Sequence, residues 1–362
     1  MTTRVQRPPA EERYADELAR LAESHSGPRP PGWRLTMTAA RAFVMGDASL
    51  DVVAKYVGNP SLVERSLVTL ATTRGLMLVG EPGTAKSLLS ELIAAAVSGD
   101  STLTIQGGAA TTEDQIRYSW NYALLVAEGP SARSLVPAPM LRGMSEGRIV
   151  RFEELTRCPL EVQDTLLSLL SERVLAVPEL GGTDAMVFAR EGFNVIATAN
   201  TRDRGVNEMS AALRRRFNFE TVHPIADFET ERALVRAESS ALLRASGVTV
   251  EQDPAVTDIL VTLFRELRTG FTEGGAPVER LSSVMSTAEA VSLAHATGVR
   301  GWYLRGDSGT IGDLAESLAG TATKDNSEDA ARLRRYIEQR TSHRAESGWQ
   351  ELRRAHARLV GP

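Results

Sequence analysis

Cysteine occurs once in the 362 residues, at Cys158, so the chain can form no internal disulfide and no cysteine-based metal cluster. Lysine is nearly as scarce: of 41 basic residues only Lys55, Lys86 and Lys324 are lysine. A lysine inside a glycine-rich loop therefore stands out. Neither sign of charge dominates. With 46 acidic residues against 41 basic ones the formal net charge is -5, which leaves no bulk field to gather a polyanion, and nucleic acid is not an expected partner. The sequence has no run of about 18 apolar residues, and residues 1–12 are polar and charged rather than built like a signal peptide. A soluble, cytoplasmic chain without membrane insertion is expected. The histidines, at 25, 223, 295, 343 and 356, are scattered and form no site, and Cys158 reads as a small buried filler.

What is present is enough apolar residue, 42%, to fill a substantial core, in a length suited to one large domain with a smaller one attached. Residues 1–35 read as a short charged helical stretch over 11–22 followed by a flexible linker rich in Pro and Gly, Ser24-His25-Ser26-Gly27-Pro28-Arg29-Pro30-Pro31-Gly32. Residues 36–225 alternate short apolar strands with helices. Strand candidates are Gly75-Leu76-Met77-Leu78-Val79, Leu103-Thr104-Ile105, Ile149-Val150-Arg151-Phe152 and Phe193-Asn194-Val195-Ile196-Ala197-Thr198; helices are expected over 87–96 and 162–170. Strands joined by crossover helices predict an α/β fold with a mainly parallel sheet covered on both faces. Beyond about residue 225 the strand signals stop. Residues 226–305 read as a smaller all-helical domain, with helices over 229–245, 254–267 and 280–296, and 306–362 as a polar, glycine-rich loop with C-terminal helices.

The strongest local signal is Gly80-Glu81-Pro82-Gly83-Thr84-Ala85-Lys86-Ser87, followed by Leu88, between a buried strand and a helix. A triphosphate needs many donors, and a loop exposing backbone N–H groups at a helix N-terminus supplies them. Lys86 would neutralise phosphate oxygens and Ser87 would offer its hydroxyl to Mg2+. Ala85 stands where the strict pattern has glycine; its methyl group is tolerable if the backbone keeps a negative φ. Glu153 and Glu154 end a strand, and ligands of open parallel sheets bind beyond strand carboxyl ends. Glu153 could hold Mg2+ through a water and Glu154 could polarise an attacking water. Arg151 is awkward on a buried strand, because an unpaired guanidinium there is costly. Asn200, ending the next strand, could orient the attacking water. Arg214, Arg215 and Arg216 are adjacent like charges that call for anions, and a neighbouring subunit's γ-phosphate would satisfy one, Arg216 first and Arg215 second. Arg280, at an expected helix start after Gly274-Gly275-Ala276-Pro277, could report nucleotide state.

Together these residues resemble the AAA+ ATPases, and within them the MoxR and dynein-related branch. Residues 80–87 look like Walker A and 149–154 like Walker B. The run Leu155-Thr156-Arg157-Cys158-Pro159-Leu160-Glu161-Val162-Gln163, with Leu166-Leu167 and Ser171-Glu172-Arg173, is similar to the helix after Walker B in that branch. Pro139-Met140-Leu141-Arg142-Gly143-Met144-Ser145-Glu146-Gly147 resembles its approach to the Walker B strand. Asn200 matches sensor 1, Arg216 the arginine finger and Arg280 sensor 2. The resemblance spans roughly residues 38 to 300, and it implies a P-loop α/β domain with a helical lid, ATP and Mg2+ held between subunits, and a hexameric homo-oligomeric ring. It further implies chaperone-like remodelling of a protein client, or a von Willebrand factor A domain partner. Glu153 departs from the branch's usual aspartate, and Arg215 stands where an acid is common. ATP hydrolysis driving remodelling is the leading expectation; a nucleotide-dependent assembly switch with little hydrolysis, favoured by Glu153 and Arg151, and a motor subunit of a nucleic-acid restriction system are the alternatives.

Overall fold

The computed structural model describes residues 5–200, 208–283, 285–324, 326–343 and 347–360. Its contacts divide the chain into two units: residues 1–80 with 85–222, and residues 81–84 with 223–362. No helix among the described residues is long and apolar enough to cross a membrane.

The first unit is built on five strands, β1 (Gly75–Gly80), β2 (Thr104–Gln106), β3 (Ile149–Glu153), β4 (Asn194–Asn200) and β5 (Phe217–Val222), all paired parallel in the order β2-β3-β4-β1-β5. The sheet is flanked by helices, as the α/β reading expected. Every residue of β3 is buried and all of β4 but its last residue, whereas β5 alternates between buried and open positions. This contrast follows from position: inner parallel strands have both faces covered, and the edge strand does not. The alternation of Phe217-Asn218-Phe219-Glu220-Thr221-Val222 is the reason β5 lies outside the apolar runs legible as strands. Two further hairpins, Tyr118–Trp120 with Leu135–Pro137 and Val174–Ala176 with Met186–Phe188, are likewise absent from the sequence reading.

The N-terminal segment corrects an expectation. Helix α1 (Ala15–Ser24) buries Leu18 and Leu21 completely, and Trp33 and Leu35 are buried in the same core as α2 (Met37–Met45) and α3 (Pro60–Leu70). Residues 5–35 are thus part of the first unit rather than a helix on a flexible linker. Charges and breakers dominate the composition there, but the helix buries only one stripe, and a turn closed by the Trp33 N–H on the Pro30 carbonyl at 3.1 Å precedes the buried Trp33. Lys55 anchors this segment: its Nζ pairs with Glu17, donates to the Phe43 and Val53 carbonyls, and lies 4.8 Å and 4.5 Å from the ring centroids of Tyr14 and Phe43.

The second unit is all-helical: α4 (Phe228–Ala245), α5 (Pro254–Thr269), α6 (Thr287–Arg305), α7 (Ile311–Leu318), α8 (Ser327–His343) and α9 (Ser347–Val360). Side-chain caps start five of them, Thr310 accepting from Asp313 N before α7 and Asn326 from Glu328 N before α8. Asp227 accepts from Thr230 N, Asp253 accepts from Ala255 N ahead of Pro254, and Ser286 forms a capping box with Glu289. One hydrophobic core runs from Val235 through Leu263, Leu293 and Leu314 to Trp349 and Leu352. The helices after α6 share this core: Ile311, Leu314, Ala315 and Leu318 line one face of α7 and are buried with the rest.

The α6–α7 turn is held by the buried Asp313, whose Oδ1 accepts from Arg300 Nε and an Arg305 Nη, each at 3.0 Å, and whose Oδ2 accepts from Thr310 N at 2.7 Å. Burial raises the Asp313 carboxyl, but Arg305 and Thr310 outweigh it and hold the group below its usual 3.8. A carboxyl lowered on folding contributes stability that is complete above its unfolded value and lost as pH falls through the lower folded one. Asp313→Asn should cost about 1.5–3 kcal/mol at neutral pH, the range for hydrogen bonds to charged groups. In thermal melts the gap to wild type should close only on acidification; a gap undiminished at the lowest pH at which the chain folds would contradict this account.

Candidate nucleotide site

The carboxyl ends of three inner strands carry the site. Strand β1 ends at Gly80, and Gly80 pairs in register with Asn200 at the end of β4. Strand β3 ends at Glu153, with Phe152 opposite Ala197 of β4 and Glu153 opposite Gln106 of β2. After the loop begun by Gly80 the chain enters the helix Lys86–Ser98, which has no side-chain cap hydrogen bond at its N-terminus. The first backbone N–H groups of a helix have no partner within it, and the axis dipole adds positive potential there.

Ala85 departs from its expectation. Its backbone lies at φ 65°, ψ 25°, in the left-handed region, instead of keeping a negative φ. The turn that aims the loop at the helix needs this conformation whichever residue occupies it, and the Ala85 methyl group is accommodated at a cost of about 1–2 kcal/mol. Ala85→Gly should relieve that strain, less the roughly 0.4–1 kcal/mol by which glycine's freedom favours the unfolded chain. The expected net is a stabilisation of up to about 1.6 kcal/mol, read from denaturant midpoints without nucleotide. A lower midpoint at unchanged slope would count against it.

Within this frame the side chains converge. Lys86 is 7% exposed and its Nζ donates to Gly80 O at 3.1 Å. Ser87 Oγ donates to Glu153 Oε2 at 2.7 Å, and Thr84 Oγ1 closes the loop onto Glu81 O at 2.9 Å. Glu153 is buried and accepts four side-chain bonds: Oε1 from Ser90 Oγ at 2.7 Å and Arg151 at 2.9 Å, Oε2 from Ser87 Oγ and from Thr198 Oγ1 at 2.9 Å. Burial pushes this carboxyl up, but the Arg151 charge and the three hydroxyls together hold it below its usual value, so it remains ionised. Arg151 thereby finds the partner that the sequence did not identify. Ser90 and Thr198 escaped the sequence reading as well. Ser90 sits one helical turn beyond Ser87 on the same face, and Thr198 two residues before Asn200 on β4, so helical and strand periodicities were the available signals.

Glu154 turns the chain out of β3 with a left-handed backbone, φ 54°, and its N–H donates to Thr198 Oγ1 at 2.9 Å. Its carboxylate is one third exposed and pairs with Arg157 Nε at 2.8 Å. Two non-glycine residues in this region, Ala85 and Glu154, flank the same strand ends, a concentration of strain common where geometry serves function.

The arginines lie elsewhere. The Arg216 carbonyl accepts from Gly75 N, at the start of β1, so it sits at the opposite end of the sheet from Gly80. A six-residue strand puts about 16 Å between them. Arg216 Nε donates to Ser171 Oγ at 2.7 Å, and its Nη groups have no partner among the described residues. Arg215 is exposed and Arg214 lies over the Phe219 ring. Arg280 belongs to the second unit. It was expected to begin a helix, but α6 begins at Thr287; Arg280 precedes it in a loop, and its Nε donates to Thr269 O, the C-terminal carbonyl of α5, at 3.0 Å. The Ser286–Glu289 capping box, not Arg280, defines that helix start.

The donor set suits a hard cation. A hydroxyl and a carboxylate, Ser87 and Glu153, are already 2.7 Å apart, and the described residues contain no group of three or more His, Cys, Asp or Glu that could form a cage. Mg2+ is ordinarily bound by one or two protein oxygens with water and phosphate completing its shell, so these residues fit it.

A parallel sheet with a glycine loop, a buried lysine and a polar strand end in register defines the P-loop nucleotide-binding class. Residues 75–217 match the family described as "AAA domain (dynein-related subfamily)", and residues 229–359 match the "YehL-like AAA+ ATPase C-terminal domain". The protein of Escherichia coli (strain K12) called "Uncharacterized protein YehL" is 60% identical over 98% of this chain and 98% of its own. "Chaperone MoxR1" of Mycobacterium tuberculosis is 29% identical over 57% of this chain and 51% of its own, and "Gas vesicle ATPase GvpN2" of Halobacterium salinarum 26% identical over 77% and 76%. The chain belongs to the AAA+ ATPase family of the dynein-related subfamily, together with YehL.

Proposed function

We propose that the chain is an ATP-hydrolysing ring ATPase of MoxR type that acts in the cytoplasm on a protein partner, a client chain or a von Willebrand factor A domain. One observation carries the reading: the Ser87 hydroxyl at an uncapped helix N-terminus meets the ionised Glu153 carboxylate, with Lys86 buried beside them. Gly80, Glu81, Pro82, Gly83, Thr84, Ala85 and Leu88 complete the phosphate loop. Lys86 exchanges its bond to Gly80 O for phosphate oxygens, and Ser87 with Glu153 would hold Mg2+. The ion supplies charge neutralisation to the phosphates when bound. Glu154 takes the proton of the attacking water, and Asn200, in register with Gly80, orients that water. Arg216 and Arg215 lie too far from their own loop to act there, which supports a homo-oligomer in which each protomer completes its neighbour's site. The name of the Mycobacterium tuberculosis relative, a chaperone, supports remodelling as the output.

The test is calorimetry with Mg2+ and ATP on wild type and Lys86→Ala. Heat of association with wild type, lost in the variant, is expected; no heat with either would sink the reading. A second reading, an assembly switch that barely hydrolyses nucleotide, draws on the saturation of Glu153 by four donors. Steady-state turnover separates the two. The near-neutral charge gives no support to a nucleic-acid motor.

A further inference from the structure

Arg151 stands on inner strand β3, 9% exposed, where burying a charge is costly unless it is fully bonded. A guanidinium has five N–H donors. Those of Arg151 meet five acceptors on the helix Lys86–Ser98, the loop after it, β2 and β3: Ser90 Oγ at 2.9 Å, Ser101 O at 3.0 Å, Thr104 Oγ1 at 3.3 Å, Ser87 O at 3.0 Å and Glu153 Oε1 at 2.9 Å. Stability alone is a weak account of such a pair, because well-packed apolar residues often replace buried ion pairs at no loss.

The network distinguishes the two oxygens of Glu153. Oε1 is gripped by Arg151 and by Ser90, and Ser90 itself accepts from Arg151. Oε2 is left toward Ser87 and Thr198. The same Arg151 Nη group that holds Oε1 also holds the Ser87 carbonyl. One planar side chain thus fixes both the carboxylate and the backbone of the residue that supplies the hydroxyl. A glutamate reaches farther than an aspartate and has one more torsion to fix, and anchoring Oε1 removes that freedom.

We infer that Arg151 is a positioning residue for the divalent cation: it locks Glu153 so that Oε2 alone, paired with Ser87 Oγ, faces the metal. This rests on the reading of Ser87 and Glu153 as the Mg2+ side of the nucleotide site. Lysine cannot replace it, since an ammonium is a point charge with three donors and no planar fork.

The test measures ATP affinity by calorimetry with Mg2+ and with EDTA, for wild type, Arg151→Lys and Arg151→Met; the ratio of the two affinities is the metal-dependent gain. Both variants should lower that gain by about 10–100-fold, the usual effect of removing a group that orients a metal ligand, while affinity in EDTA stays near wild type. Mn2+ titrated into the ADP complex and followed by electron paramagnetic resonance should show the same weakening without any turnover. Arg151→Lys retains the charge, so it keeps the test usable if Arg151→Met does not fold. A gain within twofold of wild type in a folded variant overturns the inference. So does a loss of EDTA affinity equal to the loss with Mg2+, tracking a lower melting temperature, which would make Arg151 purely structural. If wild type shows no gain from Mg2+, the nucleotide-site reading itself fails.

Discussion

Replacing Glu154 by glutamine should lower steady-state ATP turnover by roughly 10²–10⁴-fold, the range for a positioned general base. Nucleotide binding should survive, because the amide retains the shape of the side chain and Lys86, Ser87 and Glu153 are untouched. The backbone argues for a role confined to Glu154. Its left-handed conformation, held by the bond from its N–H to Thr198, turns the residue away from the strand direction that buries Glu153. Glu153 is saturated by donors, while among the described residues Glu154 has one ion pair, to Arg157, and is one third exposed. Of the two carboxylates the second is the less buried and the less heavily bonded. Turnover unchanged between Glu154→Gln and wild type, with binding intact in both, would reject the hydrolase reading in favour of the assembly switch.

A comparable loss, about 10³–10⁵-fold in turnover, is expected for Arg216→Ala, since a guanidinium supplied to transferring phosphate is worth that much. Arg216 is pre-oriented by the bond from its Nε to Ser171, which leaves its Nη groups to meet an anion; Arg215 has no such brace among the described residues, and its loss should cost less. Under the proposed ring, the distance along β1 would place the effect between subunits. Lys86→Ala and Arg216→Ala chains, each inactive, should recover turnover when mixed, because some interfaces then pair an intact loop with an intact arginine. Activity no greater than the sum of the separate variants, in an assembly proven to contain both, would exclude the shared site.

Much of the site was legible along the chain because it is made of local signals at the ends of apolar runs. The glycine loop, the Glu153-Glu154 pair and Asn200 each close a strand candidate, and four of the five sheet strands lie within one or two residues of where their apolar runs predicted. The fifth, β5, was hidden because an edge strand keeps polar residues on its open face. The N-terminal segment was misread for a related reason: Leu18 and Leu21 form a narrow stripe among charges, which composition averages away. Arg280 was misplaced because the capping box at Ser286, which sets the helix start, lies beyond it.

The sequence by itself determined the class of chemistry, since phosphate-binding loops and strand-end carboxylates are short motifs whose meaning travels with adjacent residues. Tertiary structure alone decided the rest. The left-handed turn at Ala85 follows from how the loop must meet the helix, and four of the five bonds of Arg151 reach back to residues between 87 and 104. Bonds between residues about fifty to sixty positions apart depend on which strands lie side by side, and the order β2-β3-β4-β1-β5 is written in no single stretch of the chain.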